Sequence, residues 1–463
     1  MKRTDCSNNR THIIKTMKGI KIKLALLTFI EFAVWGAYLT SLGSYLSKVG
    51  LAGNIGIFYA IQGIVSLFMP ALIGIIADRW IPAQKTLSLC HLLAGGFMLS
   101  AGLYGMSAGD TPQFGILFTL YTLSVGFFMP TIGLTNSVAY SALEKAGLDT
   151  IKHFPPIRTL GTVGFIISML FVNFTGYQNT YAQLITSGVL SLVMVFYALL
   201  MPACPVDRNK KATGFIDIFG LRAFTLFKQK QMAIFFIFSM LLGVALQITN
   251  GFANPFIQAF GSIPEYADDW GVHNANALIS LSQMSETLCI LLIPFFLKRF
   301  GIKVVMLMSM FAWALRFGFF GIGNPGDGVW LFILSMIVYG IAFDFFNVSG
   351  SLYVNSKTSS QLRSSAQGLF MLMTNGVGAT IGTLCAQKVI DHFVYSQTEN
   401  DAIISGWHTS WLIFAAYALV IAVLFMLIFH DRDKHPDVDR ETAADIDGDG
   451  GDGFVSIKNK QLP

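Results

Sequence analysis

The sequence predicts an all-α membrane protein of twelve transmembrane helices arranged as two six-helix, pseudo-symmetric halves. Three observations carry this reading. Apolar residues make up 54% of the 463-residue chain and charged residues 12%, where soluble domains carry roughly 25% charged residues. Twelve stretches are long and apolar enough for a helix to cross the hydrocarbon layer, which takes about 20 residues. Lysine and arginine collect in alternate loops, as the positive-inside rule requires. The same composition excludes a soluble enzyme, a disordered chain and a nucleic-acid binder. Five scattered cysteines without a CxxC pair imply neither a disulfide framework nor a metal site.

The spans run 24–46, 55–76, 86–106, 114–138, 156–174, 182–201, 232–258, 276–297, 302–323, 329–353, 365–389 and 407–429. Lys15, Lys18, Lys21 and Lys23 precede the first, which is too long for a signal peptide and lacks a small-residue cleavage site; it reads as an uncleaved anchor. Most of the 31 basic residues fall in the N-terminus, the even-to-odd loops and the tail; Lys48 and Lys388 lie on the other side, and Arg158 and Arg316 fall inside spans. Both termini are therefore expected in the cytoplasm. Residues 1–23 form the N-terminal segment, 24–201 the first bundle, 202–231 a cytoplasmic linker and 232–429 the second bundle. The linker holds Arg208, Lys210, Lys211, Arg222, Lys228 and Lys230, and its Phe215-Ile-Asp-Ile-Phe219 stretch is expected to lie at the membrane interface. The polar tail, 430–463, is expected to be disordered. Its Asp445-Ile-Asp447-Gly-Asp449-Gly450 run opens like a calcium loop, but Ser456 stands where the bidentate glutamate belongs, so a solvated acidic tail is the better reading.

The two halves look related. Aligning Pro70 with Pro294, an offset of 224, sets Tyr59 on Gln283, Gln62 on Glu286 and Arg79 on Lys303. Gly161-Thr-Val-Gly164 likewise matches Asn375-Gly-Val-Gly378. A parallel six-plus-six repeat is the arrangement of major facilitator transporters. Gly74-Ile-Ile-Ala-Asp78-Arg79 resembles the start of that superfamily's loop signature, which makes Asp78 and Arg79 the expected gating loop; of the later basic pair, Lys85 remains.

Ionisable side chains inside spans cost roughly 2.5–3.5 kcal/mol each on insertion scales and so mark cavities and coupling sites. Here they are Glu31, His91, Arg158, Glu286, Arg316 and Asp344. Glu286 sits near mid-bilayer with Gln283 on the same helix face; it either bonds a neighbouring helix or faces a cavity. Asp344 lies among Tyr339, Phe343 and Phe345, surroundings that suit a group gaining and losing a proton near neutral pH, unless an ion pair with Arg316 or Arg158 locks it. Arg158, Thr162 and Phe165 share one stripe, behind a helix start set by Pro155-Pro156; Arg158 either snorkels or enters the site. Gln247 and Asn250 put two amides on one face, matched to sugar hydroxyls or base edges but also able to join helices. Arg316 and His91, in peripheral spans, are expected to have structural partners. Glu31 either neighbours the cavity or forms a local ion pair. No nucleophile elbow, zinc motif or phosphate loop is present, so neither an enzyme nor an ATP-driven pump is expected.

These polar runs carry a resemblance to the bacterial nucleoside:proton symporters of the major facilitator superfamily, over about residues 20–430. Its residues are Trp35-Gly-Ala-Tyr-Leu-Thr-Ser-Leu-Gly-Ser-Tyr45, Phe154-Pro-Pro-Ile-Arg158 with Gly161-Thr-Val-Gly-Phe165, and Met240-Leu-Leu-Gly-Val-Ala-Leu-Gln247-Ile-Thr-Asn250. They continue with Ser282-Gln-Met-Ser-Glu286-Thr-Leu, Ile337-Val-Tyr-Gly-Ile-Ala-Phe-Asp344-Phe-Phe-Asn347 and Ser365-Ala-Gln-Gly-Leu-Phe. The resemblance implies proton-coupled nucleoside import by rocking of the halves around a central site. It implies substrate contacts at Arg158, Thr162, Phe165, Gln247, Asn250, Gln283, Glu286, Tyr339, Phe343 and Asp344, with Asp344, Glu286 and then Glu31 as proton-coupling residues. Relatives tend to carry glutamine where this chain has Glu31. It further implies a monomer in the bacterial inner membrane, contacting lipid, with the proton as coupling ion and no other cofactor, metal or nucleic acid.

Overall fold

The computed structural model describes residues 3–206, 221–359 and 362–429, with side chains from residue 19 onward except at 78, 151, 221, 222 and 364. Phe215–Phe219, the first three basic residues of the linker and the tail from 430 lie outside the described residues. Every described element is helical. The first half comprises α1 (Arg3–Gly36), α2 (Leu42–Lys48), α3 (Ile55–Arg79), α4 (Ala83–Ala108), α5 (Phe114–Lys145), α6 (Thr150–Phe174) and α7 (Ala182–Leu199). The second comprises α8 (Lys230–Leu246), α9 (Ile248–Ala259), α10 (Trp270–His273), α11 (Ala275–Ile322), α12 (Val329–Lys357), α13 (Arg363–Met371), α14 (Ala379–Ile390) and α15 (Asn400–Ile428). Among the described residues nine helical stretches are long and apolar enough to cross a membrane. With the α1–α2 pair and the two arms of α11, which meet at Gly301, the architecture is consistent with twelve crossings. Gly301 turns that corner at φ 75°, a backbone region open to glycine. Large apolar side chains such as Phe196 and Leu291 face outward, 73% and 75% exposed, as a lipid-facing surface requires.

Three spans depart from the straight rods that apolar length predicts. The first is broken: α1 ends at Gly36, turns follow, and α2 begins at Leu42. The Leu39 carbonyl is taken by the Tyr59 hydroxyl, so the break is not left unsatisfied in an apolar setting. The seventh is interrupted at Gln247, between α8 and α9. The eleventh passes through π-helical turns at Leu372–Gly378 and Asp391–Tyr395. A further correction concerns Pro155-Pro156. The helix does not start there but at Thr150, and it runs through both prolines, with Thr159 Oγ1 donating to the Pro155 carbonyl at 3.0 Å.

Helices approach closely where the repeated glycines lie. A Cβ on Gly164 would strike the Phe29 carbonyl of α1, and one on Gly378 the Met240 carbonyl of α8. The matched motifs thus do the same work in each half, bringing the fifth span against the first and the eleventh against the seventh. Pro70 and Pro294 each sit inside a helix, α3 and α11.

The halves meet through hydrogen bonds at the end of the bundle away from the start of α1. Ser44 donates to Asn254 Oδ1 (2.8 Å), Thr40 to Asn276 Oδ1 (2.5 Å), and Asn173 Nδ2 to Asn274 Oδ1 (2.7 Å). Gln387 closes the other flank, accepting from the Gly56 amide at 2.6 Å and donating to the Ala52 carbonyl at 3.1 Å. Gly43 lies so near the Gly251 carbonyl that a Cβ would collide with it. Together these contacts form a clamp between the halves.

Candidate functional site

From the first half, α6 supplies Arg158, Thr162 and Phe165. The Arg158 guanidinium lies 3.8 Å from the centre of the Phe32 ring. Phe165 is buried and meets Trp35 edge-on, with centroids 6.2 Å apart. Trp35 also packs on Phe128 at 6.2 Å, so an aromatic wall backs the arginine. Thr162 is half-buried, one turn beyond Arg158.

From the second half, Gln247 stands at the break between α8 and α9, and Asn250 Nδ2 donates to its Oε1 at 2.7 Å. Interrupted helices at midplane are a recurring way for transporters to expose polar groups to a substrate. Gln283 and Glu286 are half-buried on α11. On α12, Tyr339 stacks on Phe343 with centroids 5.6 Å apart and planes 14° from parallel. Its hydroxyl lies near Gln283. Asp344, on the next position of α12, is 5% exposed, and its Oδ2 has no hydrogen-bond partner among the described residues.

Arg158 is within electrostatic reach of Glu286, and Glu286 of Asp344. Arg316 is not paired with Asp344. It is 1% exposed, donates to the Ser335 carbonyl at 2.8 Å and to Ser282 Oγ at 3.3 Å, and covers Tyr339 at 4.4 Å. Trp313 meets Tyr339 at 90° from another side, so the Tyr339 ring is held on several faces. A small, partly open pocket adjoins Phe343, lined by Leu242, Gly243, Leu246, Trp313, Phe343 and Asn347 among others.

Glu31 sits elsewhere. It is 0% exposed and enclosed by His91, Thr131 and Thr135, so it does not line the space between the halves. Arg79 ends α3, whereas Asp78 is among the side chains not described. No group of residues able to hold a metal occurs among the described residues. Residue-type reasoning passed over Phe32, Trp35 and Trp313, since aromatics in apolar spans carry no polar signal; Trp35 stood out solely as part of a longer motif. It also passed over Asn254 and Asn276, whose spacing across two spans shows no pattern until the halves are joined.

Comparison with known proteins agrees with this architecture. The family described as "Nucleoside H+ symporter" matches residues 17–434. The xanthosine permease of Escherichia coli (strain K12) is 46% identical over 422 residues, covering 90% of this chain and 98% of that one. The nucleoside permease NupG of the same organism is 44% identical over 414 residues, 89% of this chain and 96% of that one. The crystal structure of the nucleoside transporter NupG superimposes with a TM-score of 0.80 at 43% identity, covering 89% of this chain and all of that one. The chain therefore belongs to the nucleoside H+ symporter family, major facilitator-type membrane transporters that couple nucleoside import to the proton by alternating access.

Proposed function

We propose that the nucleoside lies between α6 of the first half and α8–α9, α11 and α12 of the second. The base stacks on Phe165, Phe343 or Tyr339, a contact worth about 1–3 kcal/mol per base in nucleic-acid binders. The ribose hydroxyls bond to Gln247, Asn250, Gln283 and Glu286, with Arg158 and Thr162 completing the first-half side. A site with dedicated hydroxyl partners rejects analogues that lack the hydroxyl, because buried polar groups are left unpaired. Free nucleobases are therefore poor substrates. Nucleotides fail as well, since Arg158 alone among the assigned contacts is basic.

Asp344 carries the coupling proton, with Glu286 as its partner. The observation that bears most weight is the unpartnered Oδ2 of Asp344 in an almost closed apolar setting. A carboxylate there is costly unless it is protonated or met by a cation. Binding of proton and nucleoside together thus changes the balance between outward- and inward-facing forms. The clamped end faces outward, the termini lie in the cytoplasm, and the protein works as a monomer in the bacterial inner membrane. The bundles are 24–201 and 232–429, joined by the linker 202–231, and Asp78 and Arg79 act at the inner end of the first.

The test is uptake into proteoliposomes of single nucleosides, bases and nucleotides, with and without an imposed proton gradient. Nucleosides accumulate with the gradient, and bases and nucleotides do not. Asp344→Asn abolishes uphill uptake while nucleoside binding persists. Normal gradient-driven accumulation in that variant excludes Asp344 as the carrier.

A further inference from the structure

One ionisable cluster is left unused by this reading. Glu31 on α1 and His91 on α4 are both 0% exposed, with His91 Nε2 2.9 Å from Glu31 Oε2. From α5, Thr131 Oγ1 donates to Glu31 Oε1 at 2.6 Å and Thr135 Oγ1 to Oε2 at 2.9 Å. From α7, Ser191 Oγ lies 2.9 Å from His91 Nδ1 and 3.1 Å from the His91 carbonyl oxygen. Among the described residues, Cys90 on α4 and Arg158 on α6 are further titratable or charged groups within electrostatic reach of Glu31.

We propose that Glu31, His91 and Ser191 form a second proton-binding site, loaded and emptied during the transport cycle; this rests on the symport reading above. Counting hydrogens gives two states on the same heavy-atom positions. In the first, the Ser191 hydroxyl donates to the His91 carbonyl, so Nδ1–H donates to Ser191 Oγ. A further proton then lies between Nε2 and Oε2, and the Glu31–His91 pair is neutral overall. In the second, the Ser191 hydroxyl turns onto Nδ1 and Nε2–H donates to the ionised Glu31. One proton has left, the pair carries a net charge of −1, and each of these contacts is kept except the serine's bond to the carbonyl. Both Thr131 and Thr135 still donate to the carboxylate. A hydroxyl with two acceptors in range is what allows the tautomer to change without moving the helices.

The consequence reaches the substrate site through Arg158. Glu31 is followed by Phe32, whose ring carries the Arg158 guanidinium, and Arg158 is in electrostatic reach of both Glu31 and Glu286. With the cluster emptied, Arg158 faces an anion in its own half. With it loaded, the anion left to Arg158 is Glu286 in the opposite half. Loading therefore strengthens the tie between halves.

The test measures the proton-to-uridine ratio in proteoliposomes from the reversal point of uridine flux under opposed pH and voltage gradients. Glu31→Gln and His91→Gln each lower the ratio by one proton relative to the unaltered protein. An unchanged ratio in Glu31→Gln overturns the proposal. A second measurement needs no variant that transports: imidazole ¹⁵N NMR of the unaltered protein, with the His91 signals assigned by their loss in His91→Gln. Nδ1 changes from a protonated to an unprotonated ring nitrogen as the site empties with rising pH; an Nδ1 signal that stays the same across the pH range in which the protein transports overturns the proposal. If uridine uptake by the unaltered protein ignores the proton gradient, the symport reading itself fails. If uptake is proton-driven and the ratio is insensitive to Glu31, the second site alone fails.

Discussion

Glu31 and Asp344 are both acids buried within the helical bundle, and their surroundings differ in kind. Both oxygens of Glu31 are occupied, by two threonine hydroxyls and a histidine. Asp344 keeps one oxygen without a partner, beside Glu286, in the half that stacks Tyr339 on Phe343. A satisfied carboxylate keeps its partners whether the pair it belongs to is loaded or emptied, and it fixes the helices around it. An unsatisfied one is destabilising in its charged form, so its protonation is tied to whatever enters the space it faces. The molecule thus keeps a built-in network in the first half and an incomplete one in the second, and an incomplete network is what substrate and proton can complete.

The contrast breaks most sharply at Asp344. If its unpartnered oxygen is the coupling group, Asp344→Asn removes all uphill accumulation, the largest effect expected of any single change. Next comes the clamp that brings the two networks together. Gly43→Leu places a side chain where the Gly251 carbonyl and Pro255 lie, so the clamped end cannot close as it does here. Shifting a two-state balance by about 1.4–3 kcal/mol changes populations roughly 10- to 150-fold. The expected result is at least a tenfold fall in maximal uptake, with cysteines placed at Ser44 and Asn254 becoming more reactive to impermeant reagents from the clamped side. Phe343→Ala then measures the stacking contribution. Loss of about 1–3 kcal/mol raises the uridine Kd roughly 5- to 150-fold, read by isothermal calorimetry. A Kd that does not move shows the base stacking elsewhere and transfers the role to Phe165 or Tyr339.

Much of this was legible from residue types, and the limits have physical reasons. Hydrocarbon length and the cost of buried charge locate the spans and single out Glu31, Arg158, Glu286, Arg316 and Asp344. The partner of each charge was not legible, because it lies on another span at no fixed separation. Ser335 holds Arg316, and His91 holds Glu31, across helices whose sequences carry no mark of the pairing. The breaks near Gly36 and at Gln247 were equally silent: an apolar run reads the same whether its helix is continuous or interrupted, and the group that satisfies the break at Leu39 is Tyr59, on the next helix. Pro155-Pro156 misled for a related reason. Proline disfavours a helix interior in water, but membrane bundles tolerate it, and this helix runs from Thr150 through both prolines.

The smallest effect tests the satisfied side of the contrast. Thr135→Val keeps the shape of the side chain and removes one of the donors to Glu31, leaving a buried acceptor short of a partner. That costs about 1–3 kcal/mol of stability, a lowering of the apparent Tm by a few degrees in a thermal-shift assay. The uridine Kd stays where it was, because Thr135 is 1% exposed and its hydroxyl is turned to Glu31. A variant that bound uridine less tightly at an unchanged Tm would show that this hydroxyl serves binding rather than the packing of the first half, and the division into a completed and an incomplete network would no longer describe the molecule.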